Sequence, residues 1–260
     1  MLKSRLFRQL LGISLFLTGL HVVLVYLIDT VANMQGHPLS EAIREMEIAR
    51  IDEAFFLRFI RLQTPLVFIA CIFSGSRLIC NDFRYNLVDI YFSKPLSWWD
   101  YVAGKTVTLL LVGFGMTVFP AWLLLLLHLA FLPSLDTLGE VAGLALPNLM
   151  FGLTVSLPCA LGVLASSAVF NGPRFASIAV FMVLMANAAF GVVLPEILDQ
   201  DSLRIIAFPV ALNRLGEWYF GAVNLLEDVS WKQSAVYVTA VCAVALAMVC
   251  MKVRRAGAAS

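Results

Sequence analysis

Long stretches of this chain carry no charge, and no other property narrows its possible folds so far. Residues 9–28, 106–135, 141–173, 175–195 and 233–251 are charge-free. A shorter run, 62–76, lies between Arg61 and Arg77, whose long side chains can snorkel outward. A bilayer interior cannot hydrogen-bond an open backbone, so what crosses it is a helix of about 20 mostly apolar residues. Composition agrees, with 61% hydrophobic and 13% charged residues and the charges gathered in clumps. The fold class expected is an all-α integral membrane protein, one domain over 1–260, with six transmembrane helices at about 9–28, 60–80, 102–132, 141–171, 175–195 and 232–252. The third and fourth runs are long enough to tilt or project, and Pro120, Pro147 and Pro158 are expected to kink them.

Lysine and arginine are retained on the cytoplasmic side of a membrane, which orients the helices. With the N-terminus inside, eleven of the 18 basic residues fall on the cytoplasmic side, including Lys3, Arg5 and Arg8 at one end and Lys252, Arg254 and Arg255 at the other. Both termini therefore read as cytoplasmic, 77–105 as the cytoplasmic loop between helices 2 and 3, and 29–59 and 196–231 as external segments. The first apolar run exceeds a usual signal-peptide core and is read as a retained span. In the first external segment Ser40 can cap a helix that extends the second span outward. In the last, two apolar patches, 205–213 and 218–226, are separated by the polar "RLGE". Each patch is too short to span, so both are expected to dip into the outer interface or lie on it.

The sequence offers little to a chemist looking for a reaction. Cys71, Cys80, Cys159, Cys242 and Cys250 sit in or at the ends of apolar runs and read as packing residues. His21, His37 and His128 lack metal-ligand spacing. Acidic residues are missing from the span interiors and no G-x-S-x-G elbow is present, which argues against an intramembrane hydrolase. A net charge of +1 argues against nucleic-acid binding. Asn148, Asn187, Thr154 and Ser156 are expected to pack or to bond across helices. The Gly104-Lys105-Thr106 triplet ends like a nucleotide-binding P-loop, but the position that must be a second glycine is Trp99, so the backbone cannot wrap a phosphate.

That triplet closes the cytoplasmic loop, the most informative connection in the chain. Asn81 and Asp82 make a helix start, after which Phe83, Leu87 and Ile90 fall on one face and Asp82, Asn86 and Asp89 on another. The spacing predicts a short amphipathic helix, apolar side to the bundle and acidic stripe to the cytosol, ended by Pro95. Ser97 and Asp100 then form a capping box for the third span, with Trp98, Trp99 and Tyr101 at headgroup level and Lys105 snorkelling.

Here the chain resembles the permease subunits of type 2 ABC exporters, whose corresponding loop runs Asp-x-Arg, a few apolar residues, Ser-[Arg/Lys]-Pro-[Leu/Ile]-Ser, then Tyr and Gly-Lys. This sequence has Asp82, Arg84, Ser93, Lys94, Pro95, Leu96, Ser97, Tyr101, Gly104 and Lys105 in that order, and departs from the pattern at Trp98 and Trp99. The resemblance extends to the six-helix layout. It implies a coupling helix within 77–105 that sits in a groove of a separate cytoplasmic ABC ATPase, present in two copies. The interface it implies comprises Asp82, Arg84, Asn86, Leu87, Asp89, Ile90, Lys94, Pro95, Tyr101, Gly104 and Lys105. It further implies a second permease copy, as homodimer or related heterodimer, in a bacterial cytoplasmic membrane. ATP and Mg would then be bound by the partner ATPase, with no cofactor and no catalysis on this chain. The alternative expectation is a non-transporting membrane scaffold or assembly factor that anchors a cytoplasmic partner.

Overall fold

The computed structural model of the chain describes residues 5–32, 51–93, 97–131, 138–221 and 229–257. All the regular structure among them is helical: α1 (Arg5–Ala32), α2 (Glu53–Gly75), α3 (Cys80–Arg84), α4 (Leu87–Phe92), α5 (Trp98–Met116), α6 (Val118–Ala130), α7 (Leu138–Gly143), α8 (Ala145–Val169) and α9 (Pro173–Leu198). A 3-10 turn at Asp201–Ile206, α10 (Phe208–Phe220) and α11 (Trp231–Gly257) complete the order. Six helical stretches, some built from adjoining elements, are long and apolar enough to cross a membrane: 5–30, 53–84, 98–130, 141–169, 173–198 and 231–255. The chain has the architecture of an integral membrane protein.

Local chemistry explains where these helices start and stop. Asp52 caps α2 by accepting from the Phe55 amide at 3.0 Å, so this helix begins seven residues before residue 60. The expected Ser40 cap lies outside the described residues. At α5 the capping box is formed: Ser97 Oγ accepts from the Asp100 amide, and the Asp100 carboxylate accepts from the Ser97 amide and hydroxyl. Two of the three expected proline effects are interruptions. Pro120 has no N–H for the Met116 carbonyl, and the helix breaks at Thr117; Pro147 stands in the same relation to Gly143, and the break falls at Leu144. Side chains bond the carbonyls near the second break, Asn148 Nδ2 donating to Leu144 O and Trp122 Nε1 to Ala145 O. Pro158, by contrast, lies inside α8, which continues through it.

α8 is the hub, packed on α2, α5, α9, α10 and α11. Its most apolar stretch is 61% buried, against 6% for α9, which lies at the edge of the bundle. Close approach to the hub needs small residues, and at Gly113 of α5 any added Cβ would collide with the Ser156 side chain of α8. Around the hub one apolar cluster gathers Phe56, Phe59, Ile60, Met116, Leu124 and Phe151, and a second gathers Ile79, Tyr101, Leu109, Leu164 and Val249. The second lies at the end of the bundle that carries the 77–105 connection.

α10 departs from expectation. The "RLGE" that seemed to divide two apolar patches is the inward face of a single helix: Arg214, Leu215, Gly216 and Glu217 are all buried. A long-range partner explains the difference, since Arg61 of α2 reaches the Glu217 carboxylate at 2.8 Å. The outer part of the second patch, 222–228, lies outside the described residues.

Candidate functional site

The 76–105 connection is fastened to the bundle at three points. At its start, Ser167 of α8 donates its hydroxyl to Ser76 O at 3.0 Å and accepts from the amides of Ile79 and Cys80 at 3.1 and 3.0 Å. One buried hydroxyl thereby holds the turn that leads out of α2. At the centre, the Asp82 carboxylate of α3 accepts from Tyr101 Oη at 2.8 Å and pairs with Lys105 Nζ at 2.7 Å, both on α5. Tyr91 of α4 closes over this group: Lys105 Nζ lies 5.8 Å from its ring centroid and 5.3 Å from that of Tyr101. Third, Lys252 of α11 stands 5.5 Å from the Phe83 ring.

Part of the helical-face expectation is therefore corrected. Asp82 was expected to look toward the cytosol, but it is only 7% exposed and spends its carboxylate inside the molecule. Ile90 was expected to face the bundle and is 58% exposed. The cause is backbone geometry: the helix breaks at Tyr85 and Asn86, and Asn86 adopts a left-handed conformation at φ 52°, which resets the helical phase between α3 and α4. Phe83 does pack inward, and Leu87 is half-buried.

Arg84, Tyr85, Asn86 and Ile90 face outward, with Tyr85 63% exposed, and Arg77, Tyr91 and Ser93 are exposed beside them. Gly104 is exposed on α5, while Tyr101 is buried and Lys105 half-buried. Lys94 and Pro95, and the side chain of Asp89, lie outside the described residues. Beside the connection Trp98 and Trp99 stack at 4.0 Å, with Trp99 turned outward. The implied interface residues thus divide into an inner clamp (Asp82, Tyr101, Lys105) and an outer rim (Arg84, Tyr85, Asn86, Ile90), of which Tyr85 was not anticipated. Ser167 was also missed. A serine in an apolar run has no local signature of the bonds it makes 87 to 91 residues away.

Polar groups deeper in the bundle are joined across helices. Glu217, 1% exposed, accepts from Arg61 and from Arg214, whose Nε also donates to Val229 O. His128 Nδ1 meets the Asp29 carboxylate at 3.0 Å, tying α6 to the last turns of α1. Asn187 of α9 donates to Ile206 O at 2.7 Å and to Tyr237 Oη at 2.9 Å, and accepts from the Phe208 amide. One turn farther along α9, Gly191 lets the Ala207 backbone close in, with Ala207 N only 2.6 Å from where a Cβ would stand. These sets pin α10 and the turn before it against the spans. Comparison with protein-family models, curated proteins and solved structures finds no match for this chain.

Proposed function

We propose that the chain is the transmembrane permease subunit of an ABC-type exporter in a bacterial cytoplasmic membrane, driven by a separate ATPase that docks on the 77–105 connection. The observation that carries this reading is the combination of clamp and rim. A loop that only joined two spans would need no buried acid fastened to a tyrosine and a lysine of the next helix. Fastened in this way, with Ser167 and Phe83 as further ties, the connection can move only with α2, α5, α8 and α11. Arg84, Tyr85, Asn86 and Ile90 offer a partner an arginine and an aromatic ring on an exposed, rigid mount, the residue types that anchor interfaces. A push on the rim becomes displacement of spans, as coupling of a cytoplasmic motor to a membrane path requires. ATP and Mg belong to the partner, and two copies of this chain would enclose the path.

The test is affinity purification of the full chain from its native membrane in mild detergent, followed by ATPase assay of what is retained. Wild type should retain an ATPase; Arg84→Glu and Tyr85→Ala should each lower retention about tenfold while the six-helix fold survives by circular dichroism. If both variants retain the ATPase like wild type, the rim is not its dock. If an associated protein is retained but hydrolyses no ATP, the scaffold reading replaces the permease.

A further inference from the structure

α9 and α11 each pack on α8 but scarcely touch each other. Between them runs an apolar groove of about 570 Å³, floored by Pro158, Gly162 and Ala165 of α8 and walled by α9 and α11. Its lips are Val183 of α9 and Val244 of α11, 67% and 61% exposed. Both lips belong to spans, so the groove opens sideways into hydrocarbon.

Size and chemistry select the occupant. From Pro158 to Val169 the floor covers about 16 Å at about 1.5 Å per residue, close to one leaflet of a hydrocarbon core about 30 Å thick. An extended alkyl chain fits a slot of this length and apolar lining. The polar side chains on the walls are already engaged: Ser166 donates to Ala176 O, and Asn187 and Tyr237 bond to each other and to the 206–208 backbone. The groove therefore offers an occupant only carbon and sulfur surface.

One end of the groove changes character. Met248 lines it, and Lys252 and Arg255 follow at i+4 and i+7 on the same face of α11, both exposed. Contact with the Phe83 ring keeps the Lys252 ammonium at this end. An apolar slot one leaflet long that leads to two cations matches a lipid with an anionic head.

We propose that the groove between α8, α9 and α11 holds an acyl chain of an anionic membrane phospholipid, its phosphate beside Lys252 and Arg255. The site is independent of the transport reading and would serve the scaffold equally. The test uses the full chain in vesicles of phosphatidylcholine and phosphatidylglycerol in equal amounts, with either lipid carrying a photoactivatable acyl chain, and maps labelled residues by mass spectrometry. Label from phosphatidylglycerol should concentrate at Gly162, Val183 and Val244 several-fold over the similarly exposed Leu15 and Phe16 of α1. Lys252→Gln and Arg255→Gln should each lower that labelling about fivefold at low salt without reducing labelling by phosphatidylcholine. Ala240→Phe should empty the groove of label and leave α1 unchanged. Equal labelling of α1 and the groove, equal labelling by the two lipids, or a disulfide between two copies through Val244→Cys would each overturn the proposal.

Discussion

Asp82→Asn keeps the size of the side chain and removes its charge, which leaves Lys105 Nζ without the carboxylate now 2.7 Å away. Removing one member of a fully buried pair costs about 3–5 kcal/mol. Here the Lys105 side chain remains 19% exposed and can turn toward the headgroups, so the expected loss is smaller, about 2 kcal/mol. Lys105→Gln strands the other partner, whose side chain is 9% exposed, and should cost about 3 kcal/mol. Tyr101→Phe removes a single hydrogen bond to the same carboxylate, worth about 1 kcal/mol. In the double variant Asp82→Asn/Lys105→Gln no charge is stranded, so its loss should fall short of the summed single losses by about 1–3 kcal/mol. Unfolding in mixed micelles, followed by far-ultraviolet circular dichroism, measures all four. Additive single losses, or single variants within about 0.5 kcal/mol of wild type, would refute the clamp. Because Asp82 lies inside, Asp82→Lys would set two ammonium groups face to face and so probes the clamp, not the docking rim.

Three further outcomes are expected. In a background without the five native cysteines, single cysteines at Ser4, Asn86 and Ser260 should react with impermeant reagent only in opened membranes, and those at Gln35 and Gln200 in intact cells. Labelling of Asn86 in intact cells would overturn the proposed orientation. The isolated chain should neither bind nor hydrolyse ATP, since Trp99 stands where a phosphate loop needs glycine; nucleotide crosslinking to Lys105 would contradict this. Glu217→Ala should lose about 3 kcal/mol because it takes the shared carboxylate from the buried Arg214 and the half-buried Arg61, and unchanged thermal unfolding would show the triad to be dispensable.

The spans were legible because hydrocarbon imposes one rule on every residue of a run: no charge over about 20 positions. The α5 start was equally legible, since Ser97 and Asp100 satisfy each other's backbone amides without outside help. What resisted reading were contacts between residues far apart. A uniform 3.6-residue period carried Asp82, Asn86 and Asp89 onto one face, but a single left-handed residue, Asn86, breaks that period, and asparagine there gives only a weak hint. Glu217 read as surface polarity because its partner Arg61 lies 156 residues earlier. Asp29 and His128, 99 residues apart, were hidden in the same way.

α9 can be viewed as a beam. Near its start the Ala176 carbonyl takes the Ser166 hydroxyl, and beyond its midpoint Asn187 and Gly191 hold the 206–208 corner, itself continuous with the buried α10. Between these two pins Val180 and Leu184 rest on the bundle core while Phe181, Met182 and Val183 face outward. A beam held at both ends does not swing; under load it bows at mid-length. Residues 179–187 between the pins are also the α9 wall of the groove, so any bow in this helix would change the width of the slot.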